Sequence, residues 1–107
     1  MLKVSGTGIR LTRGDTGRFA INLEGREVEN GAKALFTVKK GAWQHCAPVI
    51  SEEIPVLDNR VHVFLTPDVT NIPAGDYVWD LRLIVGGDVF TPMEYGLFRI
   101  MEAIGDE

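Results

Sequence analysis

Between Arg60 and Leu81 the chain writes a strand, a tight crossing and the opening of a second strand, and few architectures accept that order. Val61, Val63 and Leu65 alternate with Arg60, His62 and Phe64, the period of two that buries one face of a strand. Pro67 then stops the ladder, because it has no N–H to contribute, yet its fixed φ suits the first turn of a helix. The spacing predicts one helical turn from Pro67 to Ile72, with Asp68 placed to cap it. Pro73-Ala74-Gly75 reads as a turn, and a new strand begins at Asp76 with Tyr77 and Trp79 on the same face. A strand that stops, crosses in a few residues and restarts with large aromatics facing inward needs a second layer to cover those aromatics.

The remaining apolar residues keep the same period. Phe19, Ile21 and Leu23 share one face of a strand that ends at Gly25, and Ala34, Phe36 and Val38 share a face before the turn at Lys39-Lys40-Gly41. The longest stripe runs from Asp76 to Val85, with Tyr77, Trp79, Leu81, Leu83 and Val85 on one side and Asp80 and Arg82 on the other. Gly86-Gly87-Asp88 signals a hairpin, Asp58-Asn59 another turn, and Gly14-Asp15 a hairpin joining strands Ile9–Thr12 and Gly17–Leu23. The last strand, Val89 to Met101, is interrupted by Pro92, which suggests an edge or a bulge. Ala42 to Val56 is the least regular stretch, a crossover that allows one or two short strands around Trp43, Val49 and Ile50 with Pro48 and Pro55 breaking the ladder, and Met101 to Ile104 suits a further helical turn. Short strands with turns at this spacing predict an all-β domain of about seven to eight antiparallel strands in a sandwich or small barrel.

Size and charge narrow the range further. The 107 residues make one domain, 1–107, with no linker and no repeat, and 45% apolar content is enough for a core. The net charge is −4 and the eleven Lys and Arg are scattered, so the clustered cations that neutralise phosphates are missing and no nucleic-acid partner is expected. Apolar runs fall far short of a bilayer span, so no membrane partner is expected either. Met1 to Gly6 carries no apolar leader core, which reads as cytoplasmic synthesis without a signal peptide. Cys46 is the single cysteine, so no intrachain disulfide forms, in keeping with a reducing compartment.

Residues able to do chemistry are few and poorly spaced. His45, Cys46 and His62 are the soft ligands, but zinc takes four ligands in close-spaced pairs, and adjacent residues on a strand point to opposite faces. The same opposition separates Cys46 from its neighbouring base, and nothing nearby lowers the thiol pKa. Asp76 and Asp80 share an outward face, where calcium or acid–base work would need more oxygens or a pocket; Arg82 on that face makes a surface ion pair the simpler account of Asp80. Gly6-Thr7-Gly8 is too short for a phosphate loop and no P-loop lysine follows. Arg13-Gly14-Asp15 is better read as a turn than as an integrin-binding tripeptide. No catalytic residue, metal or cofactor is expected, and the chain reads as no enzyme.

Phe19, Phe36, Tyr77 and Trp79 fall on core faces, which removes the stacking platforms that single-stranded nucleic acids use. Phe64, Val78 and Ile84 are the exceptions, being apolar on faces that alternation gives to water. Contiguous exposed apolar residues mark a partner surface, so these three are the candidates for docking or self-association. Trp43 is the one aromatic free to serve the alternative, a module binding carbohydrate or a cell-surface ligand.

Two resemblances follow from these residues. Leu65 to Trp79 resembles the E-to-F corner of immunoglobulin-like β-sandwiches, in which a tyrosine near the start of strand F bonds back to the corner. Leu11-Thr12-Arg13-Gly14-Asp15-Thr16-Gly17, Ala34-Leu35-Phe36-Thr37-Val38-Lys39-Lys40, Val63 to Leu81 and Val89-Phe90-Thr91-Pro92, in this order, resemble a family of small phage and prophage proteins encoded near tail or baseplate genes. They also resemble the immunoglobulin-like N-terminal domain of some baseplate proteins. The resemblance spans nearly the whole chain and implies an immunoglobulin-like sandwich in a virion-associated structural module that acts by protein–protein contacts. No long C-terminal fibre or receptor-binding segment follows, which favours an accessory or assembly role over host recognition. The motifs determine fold and carry no catalytic residues.

Overall fold

The structure is a computed structural model and describes residues 3–4, 8–24, 27–41, 47–90 and 96–102. Among them run nine strands and one helical turn: β1 (Lys3–Val4), β2 (Gly8–Thr12), β3 (Gly17–Glu24), β4 (Lys33–Lys39), β5 (Pro48–Leu57), β6 (Arg60–Leu65), α1 (Pro67–Thr70), β7 (Gly75–Val85), β8 (Asp88–Phe90) and β9 (Gly96–Met101). The all-β expectation holds. The strands pair in the order β1-β3-β6-β5-β4-β7-β9-β2, with β8 beside the far end of β7. That order divides into two halves, β1-β3-β6-β5 and β4-β7-β9-β2. Pairing passes unbroken through β5, so the two halves belong to one strongly curled sheet that approaches a barrel.

Alternation sets the inside. Phe36, Trp79, Leu81, Leu83, Val61, Leu65 and Phe98 are buried, together with the rest of the inward stripes. The two halves meet through aromatic rings. Phe19 of β3 lies edge-on to Phe36 of β4 (5.8 Å), and Phe36 in turn contacts Trp79 (5.5 Å) and Phe98 (6.3 Å). Tyr77 and Trp79 are 4% and 2% exposed, so the corner faces inward as its spacing predicts.

The corner itself is closed by side chains. Tyr77 Oη donates to the Pro73 carbonyl (2.6 Å), the bond that a tyrosine at the start of such a strand makes. Thr70 is fully buried and its hydroxyl donates to the Asp15 carbonyl (2.6 Å), pinning α1 to the β2–β3 connection. Removing the Tyr77 hydroxyl leaves a carbonyl without its partner, so Tyr77→Phe is expected to cost about 1–2 kcal/mol. Urea titration checks this; the midpoint should fall with an unchanged slope.

Four expectations are corrected. Gly14-Asp15 is not a β-hairpin: β2 pairs β9 in parallel and β3 pairs β6, so the turn carries the chain from one half to the other. Gly17 makes that crossing tight, because a Cβ there would stand 3.0 Å from Leu11 Cδ1. The sheet is consequently mixed, with one parallel pair. Within the stretch from Ala42 to Val56, expected to be irregular and broken at its prolines, a single ten-residue strand begins and runs over Pro48–Leu57. Its prolines do not interrupt it, since one sits at the strand start and the other where β5 leaves β4 for β6, the positions where a missing N–H costs least. Finally, Thr66 and not Asp68 takes the cap position of α1, with no side-chain capping bond; Asp68 lies in the first turn. Pro92 and the stretch after Glu102 lie outside the described residues.

Candidate interaction surface

The outward face of β7 presents Asp76, Val78, Asp80, Arg82 and Ile84, the complement of its buried stripe. Val78 stands beside Lys39 on β4 and Leu97 on β9, and Ile84 stands beside Lys33 on β4 and Val89 on β8. Leu97 and Val89 are 43% and 61% exposed. These make two apolar pairs on one face, about 20 Å apart by strand rise, with Asp80 and Arg82 between them. Phe64 does not join them. It lies on β6 opposite Arg18 of β3, in the other half of the sheet, and its ring packs under the Arg18 guanidinium at 4.6 Å. Of the three expected residues Phe64 is exposed, Val78 and Ile84 are half-buried on their outward face, and they form no single patch. Leu97, which completes the first pair, carries a signal in the alternation Leu97, Arg99, Met101 against Phe98 and Ile100. It is legible only once β9 is known to start at Gly96, beyond Pro92.

Charge on this face is arranged unevenly. Arg99 Nε donates to Asp76 Oδ1 (2.7 Å), and that hydrogen bond holds the Asp76 carboxyl below its ordinary range. The pair is exposed, so it contributes little to stability. Asp80 differs: its Oδ1 is buried with no hydrogen-bond partner among the described residues, and burial pushes its pKa up against the opposing pull of Arg82 and Lys39. The expected ion pair with Arg82 is a field effect, not a contact.

A folded-state pKa above the unfolded value means that the native state binds the Asp80 proton more tightly. Its contribution to stability is then full below the unfolded pKa and is lost as pH rises through the folded one. Asp80→Asn, which removes the charge, is expected to stabilise the domain at pH 7, and the gain should shrink toward zero as pH falls through the carboxylate range. Parallel denaturation curves of both proteins at neutral and acid pH check the sign.

Among the described residues, the groups able to do chemistry stay apart. His62 is exposed on the outward face of β6, and Asp76 and Asp80 lie four residues apart along β7, about 13 Å. Among the described residues no group of three or more His, Cys, Asp or Glu is placed to hold a metal ion. Trp43, His45 and Cys46 lie outside the described residues. Glu27, Glu29 and Asp58 line an open hollow with Asn30 and Asn59. No helix among the described residues is long and apolar enough to cross a membrane. No protein-family model matches the chain, and no curated protein sequence matches it.

Proposed function

We propose that this chain is a non-enzymatic structural module that works through the outer faces and edges of its sheet, in association with a phage tail or baseplate. The observation that carries the contact role is the β7 face, where the exposed Leu97 and Val89 stand beside the half-buried Val78 and Ile84 on either side of Asp80 and Arg82. A partner covering that face would bury both pairs and gain about 25 cal/mol per Å² of apolar surface removed from water. The virion association is supported by the order of motifs at Arg13-Gly14-Asp15, at Ala34 to Lys40 and at Val63 to Leu81, and by an architecture that offers sheet surface and little else. Those motifs build the turn, the central strand and the tyrosine corner, so they support the architecture first and the role through it.

The experiment is mass spectrometry of particles purified after prophage induction in the source strain, with tail and capsid fractions separated. The chain should co-purify in fixed proportion with tail components, and Val78→Asp with Leu97→Asp should displace it while the isolated domain stays folded. Absence from particles and from assembly intermediates alike would overturn the reading.

A further inference from the structure

We propose that a second copy of this chain adds its β5 to the open edge of β2, so that copies join head to tail through one continuous sheet. This deepens the interaction-module reading and rests on it. Five strands, β5-β4-β7-β9-β2, lie side by side. Among the described residues β2 has no second neighbour beyond β9, while β5 pairs β4 over most of its length and has a second neighbour, β6, only at its C-terminal end, Val56 and Leu57. A strand with one neighbour shows the other side a row of free N–H and C=O groups, the usual template for a strand from another chain.

Strand directions select the geometry. β4 and β9 run antiparallel to β7, β2 runs parallel to β9, and β5 runs antiparallel to β4. It follows that β2 and β5 point in opposite directions. A copy displaced sideways without being turned over presents β5 antiparallel to β2, the stronger of the two ladder types, and keeps both outer faces on the same side. The two edges are different surfaces, so the contact is heterologous and leads to a ring or a filament as sheet twist dictates.

Charge sets the register. Arg10 is exposed on the outward side of β2 with no carboxylate partner among the described residues, because its neighbour Arg99 already holds Asp76. Glu53 is exposed on the outward side of β5 opposite the apolar Leu35, and among the described residues no cation pairs with it. Setting Arg10 against Glu53 puts Thr12 against Ser51 on the outside and Ile9 against Ile54 on the inside. Ile9 and Ile54 are both half-buried at the margin of the core, and each covers the other's remaining apolar surface. Glu52 then comes to the mouth of a cleft of about 320 Å³ between β2 and β3, which Arg18 also lines. The pairing ends where Gly8 meets Pro55, a residue with no N–H to extend it. Pro48, Pro55 and two adjacent carboxylates guard β5 against indiscriminate pairing; the complementary cation on β2 is what selects that edge.

Sedimentation velocity on the full chain, from micromolar to millimolar concentration, tests this. The mass should grow beyond a dimer and fall as salt is added. Arg10→Glu and Glu53→Arg should each move association to about tenfold higher concentration, since like charges then stand opposite across the ladder. An equimolar mixture of the two variants should recover it, because every junction again joins opposite charges. Circular dichroism confirms that each variant is folded. A chain that stays monomeric throughout, a dimer that grows no further, or association indifferent to both reversals would overturn the proposal. A monomer found in tail particles would sink this contact and leave the proposed function standing, whereas a charge-selective polymer absent from particles would do the reverse.

Discussion

Phe36→Ala is expected to lower the unfolding free energy by about 3–5 kcal/mol, enough to leave a domain of this size barely folded at room temperature. Phe36 is fully buried on the central strand β4, and it is the ring on which the other aromatics converge: Phe19 from one half of the sheet, Trp79 and Phe98 from the other. Truncation therefore removes apolar contact on several sides at once and leaves a cavity between two halves that backbone pairing holds apart. Phe36→Leu keeps most of the volume and loses only the ring contacts, so its cost should be clearly smaller. Guanidinium titration of both variants checks the order; equal costs would show that ring geometry, not filled volume, matters at this position.

The second large effect is expected at Asn59. It occupies the second central position of the Leu57–Arg60 hairpin, where both Asp58 and Asn59 have positive φ (51° and 58°), the signature of a type I′ turn. Its side chain does more than tolerate that conformation. Oδ1 accepts from the Val28 N–H (2.6 Å), Nδ2 donates to the Leu23 carbonyl (3.0 Å), and its own carbonyl accepts from the Leu23 N–H (2.9 Å). One residue thus ties the β5–β6 hairpin to the end of β3 and to the β3–β4 connection. Asn59→Ala is expected to cost about 2–4 kcal/mol, from two lost hydrogen bonds and a left-handed backbone that alanine resists. Asn59→Gly keeps the backbone freedom and loses only the bonds, so it should fall between wild type and alanine. Thermal and urea unfolding of the three proteins measure the two contributions separately.

What could be read in advance divides along a physical line. The inward stripes of β3, β4, β6 and β7, the glycine hairpin at Gly86-Gly87 and the Tyr77 corner depend on neighbours within a few residues, and all stand where their spacing places them. The Gly14-Asp15 turn shows the limit. A turn signal states that the chain reverses, but not whether the strands on either side pair with each other or with β9 and β6. Pro48 and Pro55 show the same limit from the other side: a proline costs a ladder only where its N–H would have been used, and which edge of β5 faces a partner is a property of the assembled sheet. The candidate surface divides in the same way. Alternation identified Phe64, Val78 and Ile84 as outward, and they are; whether outward residues are neighbours depends on which half of the sheet carries them and on which strand lies alongside. Asn59 and Thr70 went unseen because their partners, Val28, Leu23 and Asp15, are far away in the chain.

Residue order by itself determined that this is an all-β chain, which side of β3, β4, β6 and β7 is buried, and where the corner turns, because period-two burial and turn chemistry are local. Tertiary structure alone decided the pairings: β2 against β9, the open edges of β2 and β5, and the separation of the apolar residues into distant pairs. Those depend on contacts between segments tens of residues apart, and backbone hydrogen bonds, which make them, are the same for every side chain.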